Sequence, residues 1–317
     1  MSQVKFPALI GESPLAILAA IGTFRLIHDF VDDDARLSWD PNDRAPVLHS
    51  RLATVDAVVE ELSEIVAEMP EDVVVPGAPP SFPRQKVGTK GSDPMRAEQG
   101  RLNGLAGSFS EDAAQISTVR DWIASLLTDL VHDDEGKCAI SQFMAPSGQQ
   151  TMFSMLRKPL CVVQTDPEHL YRALVGWRRV EGVTGEFLDH RAVWSAAEDP
   201  NGEAQKMRGV PGATWLALMS YPAWTTTATG SHPRTSGWHA VGRPPVQELR
   251  LPLWWEPLGP RAVKALVEHP VLEGKGEEKR LDADALRLLG IFHVCRARRR
   301  KAERSKSKSA GVLVPVS

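Results

Sequence analysis

The stretch SPLAILAAIGTFRLIHDF, residues 13–30, opens on a serine suited to cap a helix and a proline suited to its first turn. Proline loses little at that position, because its missing N–H would have no intrahelical partner anyway. Leu15, Leu18, Ala19, Gly22 and Leu26 make one apolar face, and Ile17, Ile21 and Phe24 make another. A helix apolar nearly all round belongs in a core, and Gly22 suits close approach of a second backbone. Arg25, His28 and Asp29 are its first polar groups, and the acidic run 32–34 ends it.

Working outward, residues 35–39 alternate like a short strand, 40–43 form a turn, and Pro46, Val47 and Leu48 read as the return arm of a hairpin that packs Trp39. Residues 54–69 carry a near-heptad apolar stripe beside Asp56, Glu60, Glu61, Glu64 and Glu68, which predicts a surface helix. Its acidic face is either simply solvated or orients the protein by repelling nucleic acid. Composition changes sharply over 76–109, where prolines and glycines interleave with Arg84, Lys86, Lys90, Arg96 and Arg101. Two readings stand for this segment: a linker, or a basic loop that orders on a polyanion. Ser110 with Glu111 and Asp112 signals a helix with Ile116, Val119, Ile123, Leu126, Leu127 and Leu130 buried, stopping near 132–134. Residues 139–144 read as a strand.

At 145–156, APSGQQTMFSML, a proline-glycine break and the paired Gln149 and Gln150 mark a seam between an acidic, helical first half and a tryptophan-richer second half. A short helix over 149–157 ends at Pro159, 160–163 reads as a strand, and Asp166 opens a helix running to Gly176. Trp177, Arg178 and Arg179 follow, an aromatic beside two cations that either packs or stacks on a nucleotide. Residues 188–197 read weakly as strand or helix. Small residues open an apolar helix at 209–218, either packed tightly in the core or presenting free N–H groups to a phosphate. Residues 225–245 read as a polar loop, and 246–255 as a strand whose Pro252 marks an edge or a bulge. Pro260 opens a helix burying Val263, Leu266 and Val267, Gly290 caps a helix over 282–289, and 291–298 form a last strand. The expected fold is therefore α+β, helix-rich with short antiparallel strands, in two closely packed halves. Residues 1–144 form the first half, with a mobile basic loop near 76–109. Residues 145–300 form the mixed second half, and 301–317 a flexible basic tail.

With 317 residues, 42% hydrophobic and 24% charged, the chain can bury a large core. The net charge of −3 excludes a uniformly polyanion-binding surface, but the distribution is uneven. Between 296 and 308 eight basic residues (Arg296, Arg298, Arg299, Arg300, Lys301, Arg304, Lys306 and Lys308) face one acidic residue, Glu303. Three widely spaced cysteines match no disulfide framework or zinc pattern and suit a reducing compartment. The most apolar early run is about half a bilayer-spanning length and has no leader-like flank, so a cytoplasmic protein without a membrane partner is expected.

Tests for chemistry return little. His132-Asp133 is an HD dipeptide that would need further ligands, for which His28, His49 and Asp189 can be nominated, and a metal-dependent phosphohydrolase is kept as an alternative. No G-x-S-x-G or Gly-rich phosphate loop occurs, and Cys161 sits in an apolar run. Neither an enzyme nor a cofactor is expected. Nucleic-acid binding has broader support, with Gln149, Gln150, Arg178, Arg179, Arg84, Lys86, Lys90, Arg298, Arg299, Arg300 and Lys301 as candidate contacts. A structural protein-interaction module is the third reading.

Residues 13–25, then Arg36-Leu37-Ser38-Trp39, Pro46-Val47-Leu48, Ser147-Gly148-Gln149-Gln150 and Gly209-Val210-Pro211-Gly212-Ala213 together resemble small proteins of subtype I-G (formerly I-U) CRISPR-Cas loci, which look like compact relatives of the effector-complex large subunit. The resemblance covers about half the chain in patches, with structural motifs. It implies a non-catalytic subunit of a type I (Cascade) effector ribonucleoprotein in antiviral defence, whose partners are guide RNA, target DNA and other effector subunits, with possible recognition of the motif flanking the target. Its shortness and the acidic helix leave an accessory or partner-binding role open.

Overall fold

In the computed structural model, which describes residues 1–83, 93–94, 97–144, 151–192, 207–276, 278–300 and 311–316, the chain begins with β1 (Ser2–Lys5), α1 (Pro14–Phe30), β2 (Arg36–Trp39), β3 (Pro46–Ser50) and α2 (Val55–Ala67). Next come α3 (Leu102–Leu105), α4 (Ala113–Leu126), β4 (Leu127–His132), β5 (Cys138–Ile140), α5 (Met152–Thr165), α6 (Glu168–Val175), β6 (Val180–Glu181), β7 (Arg208–Gly209) and α7 (Pro211–Met219). The final part holds β8 (Thr226–Thr229), β9 (His232–Thr235), β10 (Trp238–Val241), β11 (Val246–Trp254), α8 (Pro260–Val267), α9 (Ala283–Leu288), β12 (Ile291–Arg300) and β13 (Val312–Val316). The fold is α+β. All described strand pairs are antiparallel, in sheets ordered β1-β3-β2 and β10-β11-β12-β13 and in three two-stranded ribbons.

The buried helix expected at 13–30 is α1, and what it packs against is α7, every residue of which is buried. Glycine sets the distance between them. A Cβ on Gly22 would lie 1.7 Å from the Leu216 carbonyl oxygen, and one on Gly212 would lie 2.0 Å from that of His169 in α6. So α7 is pressed backbone to backbone against α1 at one point and α6 at another, and the small residues at 209–213 serve helix packing. A helix end buried this deeply needs partners for its last carbonyls. Arg25 of α1 supplies one, donating from Nη1 to the Met219 carbonyl at 2.6 Å while its Nε pairs with Asp29 at 3.2 Å. Residues of both halves share one contiguous core.

The β2–β3 hairpin forms as expected, and Trp39 packs edge to face on Trp254 with centroids 6.2 Å apart. Thr54 caps α2 by accepting from the Ala57 N–H, and Val58, Leu62 and Val66 form its buried stripe. Pro252 lies within β11, paired across to Val294 of β12. Its other flank is open because β10 pairs only as far as Leu249, so the missing N–H costs no ladder bond there. The bulge follows one residue later, between Leu253 and Trp254.

Elsewhere tertiary context changes the local reading. Pro159 does not end a helix but lies inside α5, and the strand expected at 160–163 is helical. An interior proline costs roughly 3 kcal/mol. Against that, Met152, Met155, Leu156, Leu160 and Val163 are buried on one stripe with Pro159, each fully buried chain contributing about 1.5–3 kcal/mol. A reciprocal capping box between Thr151 and Ser154 fixes the helix start. The helix over 110–132 stops at Leu126, where Leu127 and Thr128 pair with Ile140 and Ala139 instead. The expected polar loop at 225–245 contains β8, β9 and β10, with turns at Gly230 (φ +60), Gly237 (φ +79) and Gly242 (φ +78). Buried hydroxyls support it: Thr226 donates to the Ser125 carbonyl at 2.6 Å, and Thr235 meets both Thr226 and Ser141.

Two further expectations change. The ends of the 76–109 segment join the core, Phe82 and Phe109 meeting edge to face at 5.3 Å, with Ser81 donating to the Phe109 carbonyl at 2.7 Å. Where a flexible tail is expected over 301–317, Val312–Val316 form β13, an edge strand on β12 in which Arg296 faces Val316 and Arg300 faces Val312.

Substituting Gly22 by alanine forces α1 and α7 apart. Overpacking of this kind destabilises by roughly 1–3 kcal/mol, occasionally more, and thermal or urea unfolding measures it. Gly104→Ala, where an added Cβ meets nothing within 4 Å, is the control and is expected to leave stability unchanged or slightly raised.

Candidate functional site

The arginines singled out in sequence have different fates. Arg179 is committed to Asp189, a carboxylate only 2% exposed, at 2.6 Å, and also donates to the Arg208 carbonyl. Arg298 pairs at 2.7 Å with Glu248, which has no exposed surface and also receives Arg250 Nε at 3.0 Å. Arg250 in turn donates to the carbonyls of Leu272 and Lys279, both at 2.8 Å, and so holds the 270–280 segment over the sheet. Breaking such a buried set by removing one partner costs several kcal/mol, so Arg179 and Arg298 are structural.

Arg299 is more deeply engaged still. It donates to the carbonyls of Gln142, Phe143 and Gly311, at 3.0, 2.8 and 2.9 Å, and stands over the Trp238 ring. Burial pulls its pKa down to about 10. Arg300 is exposed at the end of β12. Arg178 pairs with Asp166 at 2.7 Å, but both groups are exposed, and an exposed pair of this kind is weak enough to exchange for another anion. Gln149, Gln150, Arg84, Lys86, Lys90 and Lys301 lie outside the described residues.

The alternative metal site does not assemble. The His132 ring contacts the Asp133 carbonyl at 2.8 Å, while the Asp133 carboxylate accepts the backbone N–H groups of Glu135 and Lys137 in a turn. His49 bonds Ser38, His28 bonds Asp29, and Asp189 holds Arg179. Among the described residues no group of three or more His, Cys, Asp or Glu is placed to share an ion.

What the fold does assemble is a cleft of about 870 Å³ bounded by the start of α1, residues 175–177, residues 190–191 and the β12–β13 pair. Three arginines from distant parts of the chain, Arg44, Arg191 and Arg296, line it with Trp177, His190 and His293. Arg44 sits in the left-handed region (φ +56) and donates to Glu12 at 3.0 Å, the acidic side chain on the cleft wall. Arg191 is exposed and Arg296 half-buried, and neither guanidinium has a partner among the described residues. The half-buried Trp177 is held by its Nε1 donating to the Ala173 carbonyl at 3.1 Å.

Burial lowers the pKa of both histidines, and Arg44 and Arg296 lower that of His293 further, so both rings are neutral hydrogen-bonding groups at neutral pH. Cys295, also on the wall, has its thiol pKa pushed up to about 12 by burial and is no nucleophile. The cleft therefore offers cations, an aromatic wall and neutral imidazoles, which equips it to hold an anionic, ring-bearing ligand. Sequence reading passed over this trio because 44, 191 and 296 share no local pattern. The one available signal was strand alternation in β12, which separates Arg296 from Arg299.

No family model matches the chain, and no curated protein matches it. Among the described residues no helix is long and apolar enough to cross a membrane.

A second cleft of about 430 Å³ lies beside β10, where His239 is 9% exposed. Burial, reinforced by Arg250 and Arg234, pushes its pKa down to about 4. An unfolded histidine takes up its proton near pH 6.5, so between about pH 6.5 and 4 the unfolded chain binds a proton that the folded chain excludes. The resulting stability is fully present above about pH 6.5 and is lost as pH falls toward 4, a difference of roughly 3 kcal/mol. Urea midpoints at about pH 7.5 and 4.5 are expected to fall less in His239→Gln than in the parent chain, the other histidines contributing equally to both.

Proposed function

We propose that the chain is a non-catalytic, nucleic-acid-binding subunit of a CRISPR RNA-guided effector ribonucleoprotein, working in the cytoplasm in antiviral defence beside other effector subunits. The observation that carries this reading is the pair of guanidiniums, Arg191 and Arg296, that have no partner among the described residues and lie in a cleft walled by Trp177. Phosphates of guide RNA or target DNA pair with Arg191 and Arg296, and with Arg178, the residue after Trp177 in the chain. An unstacked base lies on Trp177, and His190 and His293 offer hydrogen bonds to sugar or base edges. Nothing in this arrangement selects one base over another, which suits a subunit that leaves sequence recognition to guide pairing.

The test is a titration of single-stranded RNA and DNA against the parent chain and an Arg191→Glu/Arg296→Glu double variant over a salt series. Each phosphate contact on a single strand contributes about −0.7 to the slope of log K against log salt. Loss of two contacts is expected to flatten the slope by about 1.4 and to weaken binding by at least about tenfold at low salt. Equal affinity and slope in the two proteins refute the assignment of the cleft. Failure of the chain to co-purify with RNA or with the products of neighbouring genes refutes the effector-subunit reading.

A further inference from the structure

On α2 the structure leaves a charge arrangement that nothing among the described residues compensates. Glu64 lies in its last turn and Glu68 is its C-cap residue, one turn apart, and no basic residue occupies that turn. Like charges at this spacing repel, and both sit at the end of the helix where exposed carbonyls already concentrate negative charge. Neither carboxylate has a hydrogen-bond or ion-pair partner among the described residues. Glu61 completes the row, with Arg51 at 4.0 Å.

These carboxylates rim a groove of about 480 Å³ whose floor is apolar. Ile65, Met69 and Val73 line it, together with Phe30, the last residue of α1. Phe30 is 45% exposed, although thirteen of the other residues of its helix are buried. Its ring lies over Gly77 (φ +74), where an added Cβ would be 3.4 Å from the ring, so it is seated against the groove while one face stays in water. An apolar floor under an uncompensated acidic rim disfavours phosphate and favours a ligand that is both cationic and apolar.

We infer that this groove docks a segment of another protein carrying lysine or arginine beside a large apolar side chain, the apolar group covering Phe30 and the cations meeting Glu64 and Glu68. The binding mode is that of a short segment in a preformed groove. It is independent of the nucleic-acid reading of the cleft, which uses other residues. It also gives the chain a second surface for assembly, opposite in charge to the cleft.

A phage-displayed library of random peptides of about 12 residues, panned on the full chain and counter-selected on a Glu64→Lys/Glu68→Lys chain, tests it. Enriched peptides are expected to combine basic residues with an aromatic or large aliphatic one. Synthesised and titrated by fluorescence anisotropy, they are expected to bind the Glu64→Lys/Glu68→Lys and Phe30→Ser chains at least about tenfold more weakly, with Glu64→Gln/Glu68→Gln in between and higher salt weakening the parent complex. Thermal unfolding of each variant verifies that the substitutions leave the fold intact. The inference is overturned if no peptide is enriched, if enriched peptides lack basic residues, or if they bind the variants as tightly as the parent. It is also overturned if sedimentation shows a concentration-dependent self-association that Glu64→Lys/Glu68→Lys abolishes, because the occupant is then a second copy of this chain.

Discussion

Contact between two backbones, at Gly22 of α1 and Leu216 of α7, is the constraint on which the rest of the molecule depends. Two apolar helices nearly 200 residues apart in sequence touch at a distance no side chain would allow, and Arg25 closes the junction by capping the Met219 carbonyl. With α7 fixed, α5 and α6 have a surface to cover, and the second glycine of α7, Gly212, repeats the close approach on α6. The start of α1 is thereby held beside residues 175–177, and the cleft opens between them. Site geometry is thus a by-product of helix packing, not of a dedicated binding loop.

Legibility from sequence followed the strength of local chemistry. The Ser13-Pro14 start, the β2–β3 hairpin and the Gly290 stop each rest on a few adjacent residues, and each is where reading placed it. Pro159 misled because a helix-breaking preference of a few kcal/mol is smaller than the burial of the stripe around it. Thr225 to Pro245 misled for the opposite reason. Its strands hold buried threonines, whose hydroxyl partners lie up to about a hundred residues away, and short polar strands carry too little apolar alternation to be recognised.

The basic run shows the same limit for function. Eight cations between 296 and 308 read as one patch, yet a strand sends alternate residues to opposite faces. In β12 this sends Arg299 into the carbonyls of Gln142, Phe143 and Gly311, on the opposite face from Arg296 and Arg298; of those two the buried Glu248 takes Arg298, leaving Arg296 to the cleft. Charge density along the chain was therefore a poor guide to charge density in space. Burial partners decided which cations remain available, and such partners come from anywhere in the fold. Arg44 and Arg191 illustrate the complement, two isolated residues that acquire meaning only when the packing of α1 brings them to the same wall.

The provenance of that wall has a consequence for how the protein is made. One side comes from residues 7–16 and another from the β12–β13 pair, with Pro315 and Val316 among its lining. During synthesis the first side leaves the ribosome long before the second exists, and until residues 211–219 follow, α1 is an apolar helix without α7 to cover it. A nascent chain that has not yet reached β13 lacks part of the cleft wall. Formation of the complete cleft therefore reports that β13 has docked.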